Sequence, residues 1–189
     1  MASQFFHRES NHIIVPLFYQ KNFKLGVLGG GQLGRMLVQE SINLNVSISV
    51  LDPDANAPCN NLVSEFIVGD LNNYETVLNF GSDKDLITIE IENVNVQALY
   101  ALEKKGIKVF PQPHILEMVK NKWLQKKFYV ENNIPTAEFI KIENRNQIIN
   151  HLHVFPFIQK LSIGGYDGKG VHLLNSKSDI ENAFDAPSI

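Results

Sequence analysis

The chain contains one cysteine, Cys59, and one tryptophan among 189 residues. A single thiol excludes a disulfide framework and a cysteine-based zinc cluster. No activating base stands near it in sequence, so Cys59 reads as a buried spectator in a reducing cytoplasm. Basic charge is equally sparse: lysine and arginine number 17 against 20 acidic residues, a net charge of −3, with no basic run longer than Lys104-Lys105 or Lys126-Lys127. That balance leaves no electrostatic footprint for nucleic acid. No apolar run approaches the roughly 20 residues that cross a bilayer, so no membrane partner is expected. The apolar stretch at 13–19 follows Arg8 and Glu9 and precedes no small-residue cleavage site, which makes it a poor signal peptide. Residues 1–23 are expected to be a leader outside the fold.

What remains is an ordinary globular composition, 44% apolar and 20% charged, with enough material for a core. Its 12 glycines mark two places in particular. The first is 24–38, KLGVLGGGQLGRMLV. It reads as a short buried strand, a glycine turn and an amphipathic helix, with Leu33, Met36, Leu37 and Leu44 as the face packed on a sheet. Gly29, Gly31 and Gly34 fit G-x-G-x-x-G. Two glycines let the backbone turn tightly against a ligand, the third lets the helix approach the strand, and free N–H groups at the helix start face a phosphate. That pattern places an anion at Gly30, Gly31, Gln32 and Leu33.

Strand and helix then alternate as far as Pro113. Strands are expected at 47–51, 65–68, 85–91 and 107–110, with helices at 73–80, capped by Gly81, and 94–105. This order predicts a parallel sheet covered on both faces. Asp52 ends the second strand, 18 residues after Gly34. It is open to two readings, the ribose-binding acid of an NAD-dependent oxidoreductase or a turn residue in Asp-Pro-Asp. In T-I-E-I-E-N, Glu90 and Glu92 share a strand face by period two, and Glu92 lies at the ligand-binding carboxyl end. Beyond Pro113 a lysine-rich helix is expected at 115–130, most of its lysines solvated. The domain boundary is placed near Met118, giving domains 24–118 and 119–189. An α+β pattern follows: strand 138–142, helix 145–152 and strand 156–160.

The second glycine cluster is Lys160-Leu161-Ser162-Ile163-Gly164-Gly165-Tyr166-Asp167-Gly168-Lys169-Gly170, ahead of a strand at 171–174. It is not a Walker A loop, because Gly-Lys is followed by glycine and then a strand. A glycine hairpin with lysines at base and tip suits a polyphosphate, its N–H and ammonium groups neutralising the charge.

With GGGQLGRM, VLDPDANAP, EIEN, NNIPTA and GGYDGKG in this order, the chain resembles the N5-carboxyaminoimidazole ribonucleotide synthases, ATP-grasp enzymes of purine synthesis, from Lys24 onward. The resemblance implies an α/β fold, a Rossmann-like parallel-sheet domain followed by the first α+β part of an ATP-grasp domain. It implies ATP and Mg²⁺ as cofactors, 5-aminoimidazole ribonucleotide and bicarbonate as substrates, and a homodimer. Lys160 matches a lysine that contacts ATP phosphate, and Gly164, Gly165, Tyr166, Asp167, Gly168, Lys169 and Gly170 match the loop over the triphosphate. Lys122 stands where many members carry an ATP-contacting arginine. Gln32, its neighbouring glycines and Glu92 match the ribonucleotide site, while Leu161-Ser162 replaces a more basic pair. The family's metal-binding acids have no counterpart here, and Asp179, Glu181 and Asp185 read as a solvated helix face. The chain is therefore expected to be an N-terminal fragment with an incomplete ATP site. Two other classes stay open: another purine ATP-grasp ligase, such as the formate-using glycinamide ribonucleotide transformylase, and a non-catalytic binding module. The dehydrogenase is a distant third.

Overall fold

A computed structural model describes residues 23–165 and 168–189. Five parallel strands form the first sheet: β1 (Leu25–Leu28), β2 (Ile48–Asp52), β3 (Glu65–Val68), β4 (Leu86–Ile89) and β5 (Lys108–Phe110). Their order is β3-β2-β1-β4-β5, so the winding reverses between β1 and β4. Alternation along the strands splits the core in two. Val27, Ile48, Val50 and Cys59 pack under α1 (Gln32–Asn43), whereas Leu28, Leu51 and Ile87 face α2 (Tyr74–Gly81) and α3 (Val96–Lys104). Asn73 and Asn95 start α2 and α3 by accepting the N–H of Thr76 and Ala98.

The buried face of α1 differs from the expected one. Leu33, Met36, Leu37 and Leu44 are exposed, Leu33 by 65%, and Gly34, Val38 and Ser41 are buried instead. The cause is closeness: a Cβ on Gly34 would meet the Gly29 carbonyl at 3.0 Å and the Cys59 sulfur at 3.2 Å, so the helix comes nearest the sheet along the face that carries Gly34. Gly81 acts in the same way. It is the last residue of α2 rather than its cap, and a Cβ there would lie 2.4 Å from a Leu102 methyl carbon of α3. Of the expected leader, Phe23 is described, and it is buried in the fold; the remainder lies outside the described residues.

The expected helix at 115–130 is two helices, α4 (Pro113–Lys120) and α5 (Lys122–Glu131), separated by the extended Asn121. Asn121 caps α5, its side chain accepting the N–H of Trp123 and Leu124. No strand forms at 138–142; only Ile142 bridges, to Ser188. The segment instead lays Phe139 against Trp123, rings 5.6 Å apart. The second sheet is an antiparallel pair, β6 (Phe157–Lys160) and β7 (Val171–Leu174), flanked by 3-10 helices at Arg145–Val154 and Lys177–Asn182. Its core is Ile142, Ile148, Leu174 and Ala183. Gln159, fully buried, ties it together: its amide donates to Phe184 O and Ser188 Oγ and accepts the Phe184 N–H.

At the amino edge of the first sheet, the nearly buried Lys84 pairs with Glu65 at 3.1 Å and Asp83 at 2.8 Å. Burial would push Lys84 down, but hydrogen bonds and charge from Asp83 and Glu65 outweigh it and hold its pKa above the ordinary value. Glu65 is held low first by a hydrogen bond from Ser49 and then by Lys84, and Asp83 first by Lys84. Depressed carboxylates contribute stability above their unfolded values, near about 4, and lose it as pH falls through the folded ones. Lys84→Met should therefore lose more stability at neutral pH than at about pH 3, flattening the acid limb of stability in urea titrations. Gly81→Ala should cost about 1–3 kcal/mol by overpacking against Leu102, read as a lower urea midpoint.

Candidate functional site

The glycine turn lies at the carboxyl edge of β1, at the reversal point where open α/β sheets bind ligands. Gly29 has φ +103°, a backbone that side chains rarely adopt. A Cβ there would lie 2.6 Å from Glu90 Oε2, and one on Gly31 would lie 2.8 Å from Glu90 Oε1. The glycines thus make room first for a carboxylate of the protein itself. Glu90 follows β4, its N–H donating to Leu28 O at 2.8 Å and its Oε1 accepting the Gly34 N–H at 3.3 Å. On the other side, Asp52 accepts the Gly30 N–H at 2.6 Å through Oδ2 and the Asp54 N–H at 2.8 Å through Oδ1. Asp52 is the turn residue of its two readings, and it also anchors the glycine turn.

Cys59 is fully buried beneath these residues, its N–H donating to Gly30 O at 3.1 Å. Burial pushes its thiol up, the carboxylates of Glu90 and Asp52 add to this, and Arg35 opposes it. The thiol stays protonated at neutral pH and serves as a small packing group. α1 begins at Gly31 with no side-chain cap. The leading N–H groups of Gln32 and Leu33 have no carbonyl within the helix to bond, and both residues are exposed.

Glu92 stands apart from this arrangement. β4 ends at Ile89, so strand alternation does not extend to Glu92, which is exposed and uses its carbonyl to accept the Val94 N–H. Sequence reasoning favoured Glu92 over Glu90. The signal it passed over is the glycine spacing, since three small positions in one turn need a neighbour to fill the space they leave.

In the second unit, Lys160 ends β6, pairs with Val171 and is exposed. It lines a cleft of about 900 Å³ whose other walls include Val130, Phe139, Ile140, Val154 and Ile158. Gly164, Gly165, Gly168 and Gly170 all have left-handed φ, between +72° and +83°. A Cβ on Gly165 would lie 2.3 Å from Lys169 O, so the two arms of the loop nearly touch. Tyr166 and Asp167, expected in the loop over the triphosphate, lie outside the described residues.

The lysines of α4 and α5 are not the solvated face expected of them. Lys120 Nζ donates to Val94 O at 2.8 Å and Lys122 Nζ to Gly164 O at 2.9 Å, while Lys126 reaches Thr136 and Ala137. Lys127, paired at the surface with Glu131, fits the expectation. Ser162 is buried; its N–H donates to Pro187 O and its carbonyl accepts the Lys122 N–H, while its hydroxyl has no partner among the described residues.

Of the three downstream acids, Glu181 and Asp185 are exposed as expected and Asp179 is half-buried. Asp179 Oδ2 accepts the N–H of Asn175 and Ser176, capping a 3-10 helix, and Asp185 Oδ1 accepts the Arg145 N–H. Only Glu181 is exposed without such a role. Asp52→Ala strips a buried N–H of its acceptor and should cost about 1–3 kcal/mol, measured by urea unfolding.

Family models match the description "ribonucleotide synthetase preATP-grasp domain" over residues 23–120 and "ATP-grasp domain" over 127–188. The phosphoribosylaminoimidazole carboxylase of Ogataea methanolica is 34% identical over 166 residues, covering 85% of this chain and 31% of its own. The N5-carboxyaminoimidazole ribonucleotide synthase of Staphylococcus epidermidis is 30% identical, covering 85% of this chain and 43% of its own. The crystal structure of N5-carboxyaminoimidazole synthase from Aspergillus clavatus, in complex with ADP and 5-aminoimidazole ribonucleotide, is 31% identical. It superposes with a TM-score of 0.75 over 88% of this chain and 45% of its own. The chain thus spans less than half the length of these relatives. With its preATP-grasp match covering just over half of its residues, the chain belongs to the family of ribonucleotide synthetase preATP-grasp domains, continued here into an ATP-grasp domain.

Proposed function

We propose that this chain supplies the ribonucleotide site and part of the ATP site of a ligase that carboxylates 5-aminoimidazole ribonucleotide. Bicarbonate attacks the γ-phosphorus of ATP, releasing ADP and forming carboxyphosphate. The amine of the ribonucleotide then takes the carboxyl carbon, phosphate leaves, and N5-carboxyaminoimidazole ribonucleotide results. The observation that carries this reading is the pairing of two unlike glycine loops in one chain, a turn opening a helix at a sheet's reversal point and a hairpin with Lys160 at its base, each of a kind that suits a phosphate.

In this reading residues 24–118 form the ribonucleotide domain and 119–189 belong to the ATP-grasp domain. The ribonucleotide phosphate sits at the N–H groups of Gln32 and Leu33, outward of Gly30 and Gly31. Glu90 is then the acid placed to accept a hydroxyl or amine of the substrate, the role first given to Glu92. Lys160 holds ATP phosphate at the mouth of the apolar cleft, whose walls suit a purine, and the hairpin from Gly164 to Gly170 covers the triphosphate. Mg²⁺ would neutralise that triphosphate, but the acids described here do not fit it. Asp179 and Asp185 are committed to backbone N–H groups, and no group of three or more metal-ligating side chains gathers among the described residues. No helix among those residues is long and apolar enough to cross a membrane; that the whole enzyme is a cytoplasmic homodimer is what the family resemblance implies.

Isothermal titration of the chain with ADP and with 5-aminoimidazole ribonucleotide tests the two sites separately. Gly31→Val forces a side chain against Glu90 and should abolish ribonucleotide binding with ADP binding kept. Lys160→Ala should weaken ADP binding by about ten- to a hundredfold, the worth of a charge-assisted contact. Equal loss of both ligands in a folded Gly31→Val variant would overturn the two-site assignment.

A further inference from the structure

The break between α4 and α5 carries a pattern that the proposed reaction does not use. Lys120 is the last residue of α4 and Lys122 the first of α5, with the extended Asn121 between them, φ −113° and ψ 106°. Lys120 Nζ reaches back to Val94 O, two residues past Glu92 on the loop that leaves β4 at the ligand edge of the first sheet. Lys122 Nζ reaches forward to Gly164 O in the glycine hairpin. The backbone of the break is tied to the hairpin as well. Lys122 N–H donates to Ser162 O at 2.8 Å, and Asn121 forms an antiparallel bridge with Ile163. Asn121 also fixes the start of α5, since its side chain accepts the N–H of Trp123 and Leu124.

Three consecutive residues therefore hold the root of one glycine loop and a point four residues along the chain from Glu90, which braces the other. Lysine suits both ends, because its long stem spans the gap and its ammonium donates to a carbonyl more strongly than a neutral group does. Arginine at 122 would present a fork shaped for phosphate, whereas the single ammonium is spent on the hairpin's own backbone.

We propose that Lys120-Asn121-Lys122 is a strap coupling the ribonucleotide edge to the ATP hairpin. Lys120 and Lys122 are positioning residues, and order imposed at one site raises ligand affinity at the other. By linkage the effect is reciprocal. The strap concerns the mechanics of the chain, and its consequence for ligands rests on the two-site reading above.

Backbone amide exchange on the ligand-free chain tests the mechanics without that reading. Lys120→Met removes a contact made only with the first sheet's loop. It should speed exchange at Lys122 and at 162–164 in the hairpin root by about fivefold, as expected for one net hydrogen bond. Lys122→Met should speed Val94 and Asn95 in the converse direction, and the Lys→Arg changes should largely restore both. Amides of β1 and β2 report whether each variant is folded; should Lys120→Met fail there, Lys120→Ala, which also removes the donor, carries the same comparison. Changes confined to each lysine's own side of the break would overturn the strap. Cross-effects present in a chain that binds no ADP would uphold the strap and count against the nucleotide reading alone.

Discussion

Two carboxylates from strands on either side of β1 hold the glycine turn, and the first domain's chemistry depends on that arrangement. Asp52 takes the Gly30 N–H and Glu90 the Gly34 N–H, so the turn is fixed before any ligand arrives. In the proposed function the brace also bears on where an anion sits. Two carboxylates line its inner side, and the outward N–H groups at the start of α1 are the place left for a phosphate. The same crowding accounts for the small residues on the buried face of α1, and for a cysteine, raised in pKa and inert, where a larger side chain would lift the turn away from the sheet.

The second glycine loop is built on the opposite plan. Among the described residues it is held by backbone and by a lysine from outside, and its left-handed glycines let its two arms come within van der Waals distance. Gln159 fixes the sheet below it through both ends of its amide, so that Lys160, one residue on, projects from a rigid edge into the apolar cleft.

The sequence was enough to locate both loops and to place the parallel strands along the chain. Strand runs such as LITI and glycine punctuation are short-range signals, governed by backbone sterics and local hydrogen bonds. Helices were read less well where packing overrode pattern. The apolar stripe of α1 looked like its core face, yet the close approach at Gly34 gave that face to Gly34, Val38 and Ser41. The continuous helix at 115–130 ignored Asn121, whose side chain prefers to cap a new helix. The strand at 138–142 had a suitable pattern but no partner to pair with.

What the sequence by itself determined was the order of elements, the two glycine loops and the family they indicate, because each rests on residues within a few positions of one another. Only the tertiary structure decided that Glu90 and not Glu92 meets the turn, that Asp52 braces it, and that Lys120 and Lys122 reach in opposite directions from one break. Those contacts join residues 22 to 56 positions apart. Their partners are backbone N–H and carbonyl groups, which every residue carries and which no sequence pattern can single out.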